Sequence, residues 1–493
     1  MGVNIFGQLY KNMDELYKEK KYEQVFELGK TIFREVPIPK NKEFHFYALM
    51  SNACLLTGKW AEGETYAQKS LKAPEDDNIR EMKRQMYSNL LCYMHFFPGI
   101  NDSKMFTMAK NYSLLFTDRE KFSHRRRVKK HKKIKIGYLS TDFFEHIVTH
   151  FTIQLYSAYN RDRFEVHLYN IGTKHNEVTD WISEMADGWH DLHGRPSREI
   201  AQSIYDDEID ILFDLSGHTM AGRTLLVSSH KPAPIQIAGI GYWNTTGLPA
   251  IDYFLSDKYC SPPENDDLFT EKLIRLPHSH FCYTPPESVK ICDFTYKMHH
   301  PVVFGSFNNY NKISDDMLVL WLKIIRQVPG SRLLLKNVQP GEEKRVRMRQ
   351  RLFAIGFKED EVILRGPSWP HLHEYADMDI ALDTYPYVGG GTTCEALYMG
   401  VPVISRYGVR HGSRFGYSFL HNIGLGELSA ATDEEYVSKA VELAKSPELL
   451  QLLHEQLRTM MQASPVMDGS NYLREIETAY EKIYSEWQEK NLK

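Results

Sequence analysis

The sequence has few cysteines, and their positions do not suggest a structural role. Six cysteines are scattered over 493 residues, and no two of them form a CxxC pair. A zinc ribbon needs closely spaced cysteine pairs, and a disulfide framework is typical of short secreted chains. The composition therefore argues against both. Apart from a DMD sequence discussed below, no spacing of His, Cys or Asp in the chain suggests a metal site.

Long hydrophobic runs and a strong charge of one sign are also missing. No run of about 18 apolar residues occurs, and the N-terminus has no apolar segment of signal-peptide length. The net charge of −4 gives no general attraction to nucleic acid or to an anionic membrane. We therefore expect a cytoplasmic protein with no membrane span and no nucleic-acid partner.

A local exception to this balance is the basic stretch HRRRVKKHKKIK, residues 124–135. We interpret it as a solvated linker that precedes a strand. Contact with a phosphate or an acidic partner is the alternative.

Residues 1–118 are predicted to be helical. Residues 18–37 and 56–76 resemble each other, since each has an aromatic residue after a tight turn and then an apolar-periodic helix that ends near a proline. The two aromatic residues, Tyr22 and Trp60, are 38 positions apart, which is close to the period of a tetratricopeptide repeat (TPR). Two repeats are too few for a free-standing solenoid, so we expect this TPR-like segment to pack on the next part of the chain. A helical domain without repeats is the alternative.

From Lys133 onward the pattern changes to short apolar strands that alternate with helices. The predicted strands are KIKIGYLS, FEVHLYNIG, IDILFDLSG, PIQIAGIGY and DYFLSD, then PVVFGSFNN, SRLLLKN, EVILRG, DIALDTYP and PVISR. This alternation indicates parallel sheets covered by helices on both faces. After a linker at 119–133, we predict two facing, doubly wound α/β domains at 134–295 and 296–470. The last helical stretch, 471–493, is expected to pack across one of them.

The most informative stretch is DTYPYVGGGTTCEALYMGVPV, residues 383–403. A predicted buried strand at 379–384 leads into three glycines at 389–391, and Thr392 and Thr393 then open a helix that carries Glu395. Glycines allow positive φ and close approach of a ligand to the backbone. A helix N-terminus presents unpaired N–H groups to a phosphate. The stretch therefore predicts a phosphate site, with Glu395 placed to accept from sugar or ribose hydroxyls.

Further candidate site residues come directly after other strands, where doubly wound sheets bind ligands. In the first domain these are His146, Asp214 and His218. In the second domain, Lys312 is suited to neutralising a diphosphate as a point charge. Ser368 and its neighbours offer backbone groups to a base, and His371 can stack on one. The DMD sequence at 377–379 lies at a helix–strand junction, and we do not expect it to bind a metal.

At these residues the sequence resembles the protein O-linked N-acetylglucosamine transferases and the Spindly-type proteins of glycosyltransferase family 41. The matching stretches include GYLSTDFFEHIVTH, DLSGHTMAGR, KPAPIQIAGIGYWNTTGLPAIDY, FGSFNNYNKIS, RGPSWPHLHEYADMDIALDTYPY and GGGTTCEALYMGVPVIS. The resemblance implies a GT-B fold, meaning two facing Rossmann-like domains, and an inverting transferase that needs no metal or cofactor and uses a nucleotide-sugar.

The resemblance also implies roles for individual residues. His146 matches an active-site position near the acceptor and the sugar, and Lys312 matches the lysine on the donor diphosphate. Ser368 and His371 match positions around the base, with His371 stacking. The remaining matches lie around the donor phosphates and ribose, and they are Asn309, Gly390, Gly391, Thr392, Thr393 and Glu395.

We therefore expect transfer of N-acetylglucosamine from UDP-GlcNAc to Ser or Thr hydroxyls of acceptor proteins, which bind partly through the TPR-like segment. His146, His218 and Asp214 are all candidates for a base near the acceptor oxygen. Some features, such as GHT and TTCE, look closer to the Spindly-type branch, in which some proteins use GDP-fucose. Protein O-fucosylation, N-glucosylation from UDP-glucose, and an adaptor with an inactive transferase domain remain alternatives.

Overall fold

The computed structural model describes residues 5–97, 99–124, 132–286, 298–337, 341–368 and 370–491. Most of the basic stretch, the domain boundary predicted at 295/296 and Cys292 lie outside these residues. Among the helices that are described, none has the length and apolarity needed to cross a bilayer.

The N-terminal segment is helical, as predicted. Its helices are α1 (Ile5–Lys18), α2 (Tyr22–Glu35), α3 (Glu43–Leu56), α4 (Trp60–Lys72), α5 (Asp77–Met94) and α6 (Asp102–Asn111). The two repeat-like segments supply α2 and α4, and each of these helices pairs with the helix before it. Side-chain caps fix two of the helix starts, with Asp76 accepting from Ile79 N at 2.8 Å and Asn101 accepting from Lys104 N at 2.7 Å.

The first α/β half contains a seven-stranded parallel sheet in the order β3-β2-β1-β4-β5-β6-β7. Its strands are β1 (Ile134–Ser140), β2 (Phe164–Asn170), β3 (Gly188–Asp191), β4 (Ile211–Asp214), β5 (Ile235–Ala238), β6 (Tyr253–Asp257) and β7 (Lys272–Leu276). Its helices are α7 (Ile147–Ser157), α8 (Glu177–Ser183), α9 (Ser197–Asp206) and α10 (Thr219–Ser228). The strand order reverses between β1 and β4, which is the topological switch point of a Rossmann-like sheet.

The second half contains a six-stranded parallel sheet in the order β10-β9-β8-β11-β12-β13. Its strands are β8 (Val303–Ser306), β9 (Arg332–Lys336), β10 (Val362–Arg365), β11 (Ile380–Leu382), β12 (Val403–Arg406) and β13 (Ser429–Ala430). Its helices are α11 (Asp315–Gln327), α12 (Glu342–Ile355), α13 (Gly391–Tyr398), α14 (Phe415–Asn422), α15 (Asp433–Ala444) and α16 (Pro447–Gln462). Here the switch point lies between β8 and β11.

The final helix, α17 (Gly469–Asn491), returns to the first half. The Tyr480 hydroxyl lies 3.1 Å from that of Tyr138 on β1, and Glu477 accepts from the backbone N–H of Asn160 at 2.7 Å. Tyr283 N donates to Val466 O at 2.7 Å, so the outgoing and returning segments of the chain lie side by side. As expected from the sequence, this last helix packs across one domain.

The helical segment packs on the first half, also as expected. α5 lies against α10, and one apolar cluster joins residues of α3 to α6 with Leu225, Leu248, Phe254 and Phe269. At the contact, Gly247 has φ of +66°, and a Cβ there would lie 1.8 Å from Ala109 O. The glycines around Thr245 and Thr246 therefore allow close approach to the neighbouring backbone.

All ten predicted strands are present in the structure, although β11 is shorter than the predicted 379–384. The prediction missed β3, β7 and β13. These strands lie at or next to a sheet edge. β3 (GWHD) and β13 (SA) carry few apolar residues, and the three apolar residues of β7 (KLIRL) are interrupted by an arginine.

Candidate active site

Lys312 lies at the switch point of the second sheet, in a short 3₁₀ turn (Tyr310–Lys312) that comes after β8. Its Nζ donates to the carbonyl of Val388 at 2.9 Å and sits 3.8 Å above the Tyr387 ring. Val388 directly precedes the glycines that come after β11, so the ammonium lies at the glycine corner. Burial lowers the pKa of Lys312 to about 8, and the Asp383 carboxylate opposes this shift.

Asp383 braces the glycine corner from beneath. This buried carboxylate accepts from Gly389 N at 2.7 Å, Thr384 N at 2.9 Å and the Ser405 hydroxyl at 2.7 Å. The three glycines do not adopt positive φ. Their value lies in close approach instead, because a Cβ on Gly389 would lie 2.6 Å from the hydroxyl of Thr392.

The corner opens directly into α13, whose first N–H groups point out of the helix. Thr392 donates to Asn308 Oδ1 at 3.0 Å, which ties the helix start to the loop after β8. In that loop Asn309 accepts from Asn311 N at 3.0 Å and so shapes the turn that carries Lys312. A cation, a helix N-terminus and backbone N–H groups thus converge, and this combination is suited to a diphosphate.

His371 and Glu395 form a pair beside this corner. His371 Nε2 lies 3.2 Å from Glu395 Oε2, and the same oxygen accepts from the Tyr375 hydroxyl at 3.0 Å. Ser368 is exposed, and its hydroxyl bonds to Glu374 and to Lys336 Nζ, the latter at 2.5 Å. With its side chain engaged in this way, Ser368 presents mainly its backbone to a ligand.

His146 is the N-cap residue of α7, at the switch point of the first sheet. Its Nδ1 accepts from Val148 N at 3.4 Å and lies 3.8 Å from Asp142 Oδ1, and its side chain is 38% exposed. Burial of the ring lowers its pKa, while Asp142 opposes the shift. The ring is therefore neutral near pH 7.

The two halves meet where their helix N-termini face each other. A Cβ on Gly391, the first residue of α13, would lie 2.2 Å from Cγ1 of Ile147, the first residue of α7. His146 therefore lies opposite the glycine corner, so one candidate of the first half meets the candidates of the second half in the cleft between them.

Asp214 and His218 are held differently. Asp214 is fully buried, and it accepts from Ser216 N at 3.0 Å and Gly217 N at 2.8 Å. His218 is also fully buried, with Nδ1 2.7 Å from the Ser88 hydroxyl and Nε2 2.8 Å from Thr246 O. Burial lowers the pKa of His218 to about 4. These contacts brace a turn and join it to the helical segment.

Sequence reasoning missed two residues of the site, Asp383 and Tyr387. The signal for Asp383 was a carboxylate at the end of the apolar strand IALD. Tyr387 contacts all three parts of the molecule: its ring stacks on Trp243 at 4.4 Å, approaches Phe96 at 5.5 Å and lies under Lys312. Its signal was the pair of aromatic residues in TYPYV.

The carboxylates of the DMD sequence have other partners. Asp377 pairs with Arg365 at 2.5 Å, and the buried Asp379 accepts from Val303 N at 2.6 Å and from His299 N at 3.0 Å. Among the described residues, two other groups have metal-ligand spacing, His167 with His190 and Asp207, and the fully buried Asp257 with Cys260 and His280. Neither group includes a residue of the cleft described above.

Two Rossmann-like domains, each built on a parallel sheet, define the GT-B fold of glycosyltransferases. A solved structure of this fold agrees over most of the chain. It is a mutant of the Thermobaculum terrenum O-GlcNAc transferase, with 28% sequence identity, a TM-score of 0.83, and coverage of 95% of this chain and 88% of that one. The chain belongs to glycosyl transferase family 41, whose family model matches residues 106–290 and 284–476.

Two plant relatives are similar to most of the chain. The rice (Oryza sativa subsp. japonica) protein described as probable UDP-N-acetylglucosamine–peptide N-acetylglucosaminyltransferase SPINDLY is 38% identical over 363 residues, which is 72% of this chain and 39% of that protein. The Arabidopsis thaliana protein of the same description is 35% identical over 416 residues, or 82% of this chain and 45% of that protein. The chain thus spans less than half the length of these relatives.

Proposed function

We propose that the chain is an inverting glycosyltransferase that moves N-acetylglucosamine from UDP-GlcNAc to Ser or Thr hydroxyls of proteins. The observation that carries the proposal is the position of Lys312, whose Nζ lies 2.9 Å from Val388 O at the glycine corner. The relatives favour this donor, because one is described as a probable UDP-N-acetylglucosamine–peptide N-acetylglucosaminyltransferase and another as an O-GlcNAc transferase.

In the proposed complex the donor diphosphate occupies the corner between Lys312 and the first turn of α13. As the bond to the sugar breaks, the leaving UDP gains negative charge. Lys312 and the N–H groups at Gly391, Thr392 and Thr393 are already placed to stabilise that charge. No metal is needed for this step, since a cation and a helix N-terminus supply the positive potential.

The base and ribose of the donor are assigned to the pocket beside the corner. His371 stacks on the flat base, and the backbone around Ser368 reads its edge. Glu395 accepts from the ribose hydroxyls. The hydrogen bond from Tyr375 and the pairing with His371 hold this carboxylate in one orientation.

The acceptor hydroxyl approaches from the first half, on the side of His146. Of the three candidate bases, His146 has the exposed ring, whereas the atoms of Asp214 and His218 are committed to internal contacts. The cap from Val148 N to Nδ1 places the proton of neutral His146 on Nε2, so the ring donates a hydrogen bond to an oxygen in the cleft. It acts as a base only in the other tautomer, with Nδ1–H turned toward Asp142.

We assign acceptor protein binding to the groove between the TPR-like segment and the second half. This groove has a volume of about 610 Å³ and is lined by residues such as Trp60, Phe96, Asn311 and Arg347. Because Asn311 adjoins Lys312, a polypeptide in the groove passes close to the donor.

A cytoplasmic location is supported by the free state of the cysteines at 54, 92, 260, 282 and 394.

The direct test incubates the purified chain with an acceptor protein mixture and, separately, UDP-GlcNAc, GDP-fucose or UDP-glucose. The proposal requires a mass gain of one N-acetylhexosamine on Ser or Thr with UDP-GlcNAc, undiminished by EDTA. A gain of fucose only would show that the donor is GDP-fucose. A gain of hexose on Asn only would show that the chain is an N-glucosyltransferase. An absolute need for Mg²⁺ would overturn the mechanism, and so would a chain that binds acceptor proteins but binds none of the nucleotides.

A further inference from the structure

A group of imidazoles lies on the outer edge of the first sheet, on elements that the transfer reaction does not use. His167 is on β2, His190 is on the edge strand β3, and Asp207 comes directly after α9. A nitrogen of each ring and a carboxylate oxygen all lie within 4.8 Å of one another. Their side chains are 13%, 24% and 28% exposed, so solvent reaches the group while most of each side chain is covered.

Two of the three separations within the group match the edges of a zinc coordination tetrahedron. His167 Nδ1 lies 3.2 Å from His190 Nε2, and His190 Nε2 lies 3.5 Å from Asp207 Oδ2. Zinc bonds of about 2.0–2.1 Å at tetrahedral angles put neighbouring ligand atoms about 3.3–3.4 Å apart. Both observed distances lie within about 0.2 Å of that range.

The surrounding residues orient the ligands as metal sites require. His167 Nε2 bonds to Glu165 Oε1 at 2.8 Å, which leaves Nδ1 with its lone pair directed at His190. A carboxylate behind a histidine is the usual outer partner of a zinc ligand. Tyr169 donates to Asp207 Oδ2 at 2.7 Å, and Lys135 lies 3.4 Å from Glu165, which balances its charge.

The backbone also leaves the ligand nitrogen accessible. Gly188 on β3 is paired with His167 on β2. A Cβ at Gly188 would lie 2.5 Å from His167 Nδ1, so any side chain there would cover that nitrogen. Glycine at this position therefore leaves space beside a ring nitrogen that would otherwise be blocked.

We propose that His167 Nδ1, His190 Nε2 and Asp207 Oδ2 bind one zinc-type divalent transition metal, which fastens the β3 edge to β2 and α9. Two imidazoles and a carboxylate suit zinc, with water completing the tetrahedron. On binding, the proton shared between the two rings moves from His190 Nε2 to its Nδ1, so both rings remain neutral. The site is structural, and it complements an edge strand that has little apolar burial of its own.

The test uses the full chain without an affinity tag, stripped of metal with a chelator and then titrated with Zn²⁺ and with Co²⁺. We expect about one equivalent of zinc at neutral pH, a rise in Tm, and with Co²⁺ the visible absorption of a tetrahedral centre. Transfer activity is not the readout, so this result stands apart from the proposed function. No stoichiometric binding by the native chain would overturn the proposal.

Variants test the ligand set. His190→Ala should abolish the cobalt absorption and the zinc-dependent rise in Tm. Glu165→Gln, which leaves all three ligands in place, should weaken zinc binding about 10–100-fold. His175→Ala is the matched control, because this exposed histidine of the same half pairs with Asp180, away from the site. Equal zinc binding by His190→Ala and the native chain would also overturn the proposal, and the native titration decides it if a variant does not fold.

Discussion

The two halves share one strand order but use the carboxyl ends of their strands differently. In the second half, the loops after β8 and β11 bring Lys312 and the glycine corner together on the side that meets the first half. In the first half, the loop after β4 is closed by the helical segment, with His218 bonded to Ser88. Doubly wound sheets usually bind ligands at their switch points. The comparison shows that a loop at a switch point can instead be the place where another domain packs, as the helical segment does here.

The loop after β1 is the exception within the first half. It carries His146 into the cleft, opposite Gly391. In the proposed function, the donor side is built by several elements of the second half, while the acceptor side depends on the start of α7 alone. Substitutions on each side can test this division of roles.

The largest effect is expected at Lys312. Replacing it with alanine removes the cation beside the leaving diphosphate, and we expect kcat to fall by about 10²–10³-fold. Steady-state kinetics with the native donor would measure this, with Lys323→Ala, an exposed lysine on α11, as the control. Undiminished turnover by Lys312→Ala would show that this lysine does not stabilise the leaving diphosphate.

His146→Ala should reduce kcat/KM by about 10²-fold, because the acceptor side loses its exposed polar group. If the ring donates a hydrogen bond, as its cap indicates, His146→Gln retains an N–H and should recover much of the loss. Asp142→Asn then has little effect. A large loss in Asp142→Asn together with no rescue by Gln would show instead that His146 acts as a base.

His218→Ala should reduce stability by about 2 kcal/mol or more, because it opens a cavity, removes the donor to the Thr246 carbonyl and leaves the Ser88 hydroxyl only its longer bond to the carbonyl of residue 218. Urea denaturation at pH 7 would measure the change, with His175→Ala as an exposed control. The pH dependence of kcat/KM should keep its native shape. A displaced pH profile in a stable variant would make His218 a candidate for the catalytic base again.

Gly391→Ala should reduce transfer by about tenfold, since the added Cβ lies 2.2 Å from the Ile147 side chain and moves one helix start away from the other. A double-mutant cycle supplies the control. In combination with Ile147→Ala the loss should largely disappear, because the space is restored. Independent, additive effects would mean that the two halves do not meet at this point.

The smallest effect concerns pH. The pKa of Lys312 in the free protein is lowered to about 8, so the ammonium loses its charge as pH rises through that value. We expect kcat/KM for the donor to fall by about fourfold between pH 7 and pH 8.5. The pH dependence of kcat should set in at higher pH, because a bound diphosphate favours the charged amine. A flat kcat/KM up to pH 10 would contradict this.

Local sequence patterns predicted the parts of the fold that they control. Apolar runs marked the central strands, and the position of Lys312 after one strand and the glycines after another predicted their meeting. The docking of the helical segment was predicted only in general terms. Its details depend on contacts between distant residues, such as Ser88 with His218 and Ala109 with Gly247. No local pattern showed that His218 faces inward, toward the helical segment.

The chain passes between the halves at two places, near Tyr283 on the way out and near Val466 on the way back, and a backbone hydrogen bond holds these two crossings together. Aromatic packing across the halves adds to this connection, since the Phe281 ring lies 5.0 Å from that of Phe415 and 5.6 Å from that of Phe419. The two halves are therefore fastened to each other on this side by both backbone and core, and a substitution here would disturb their relative position as well as their separate stability.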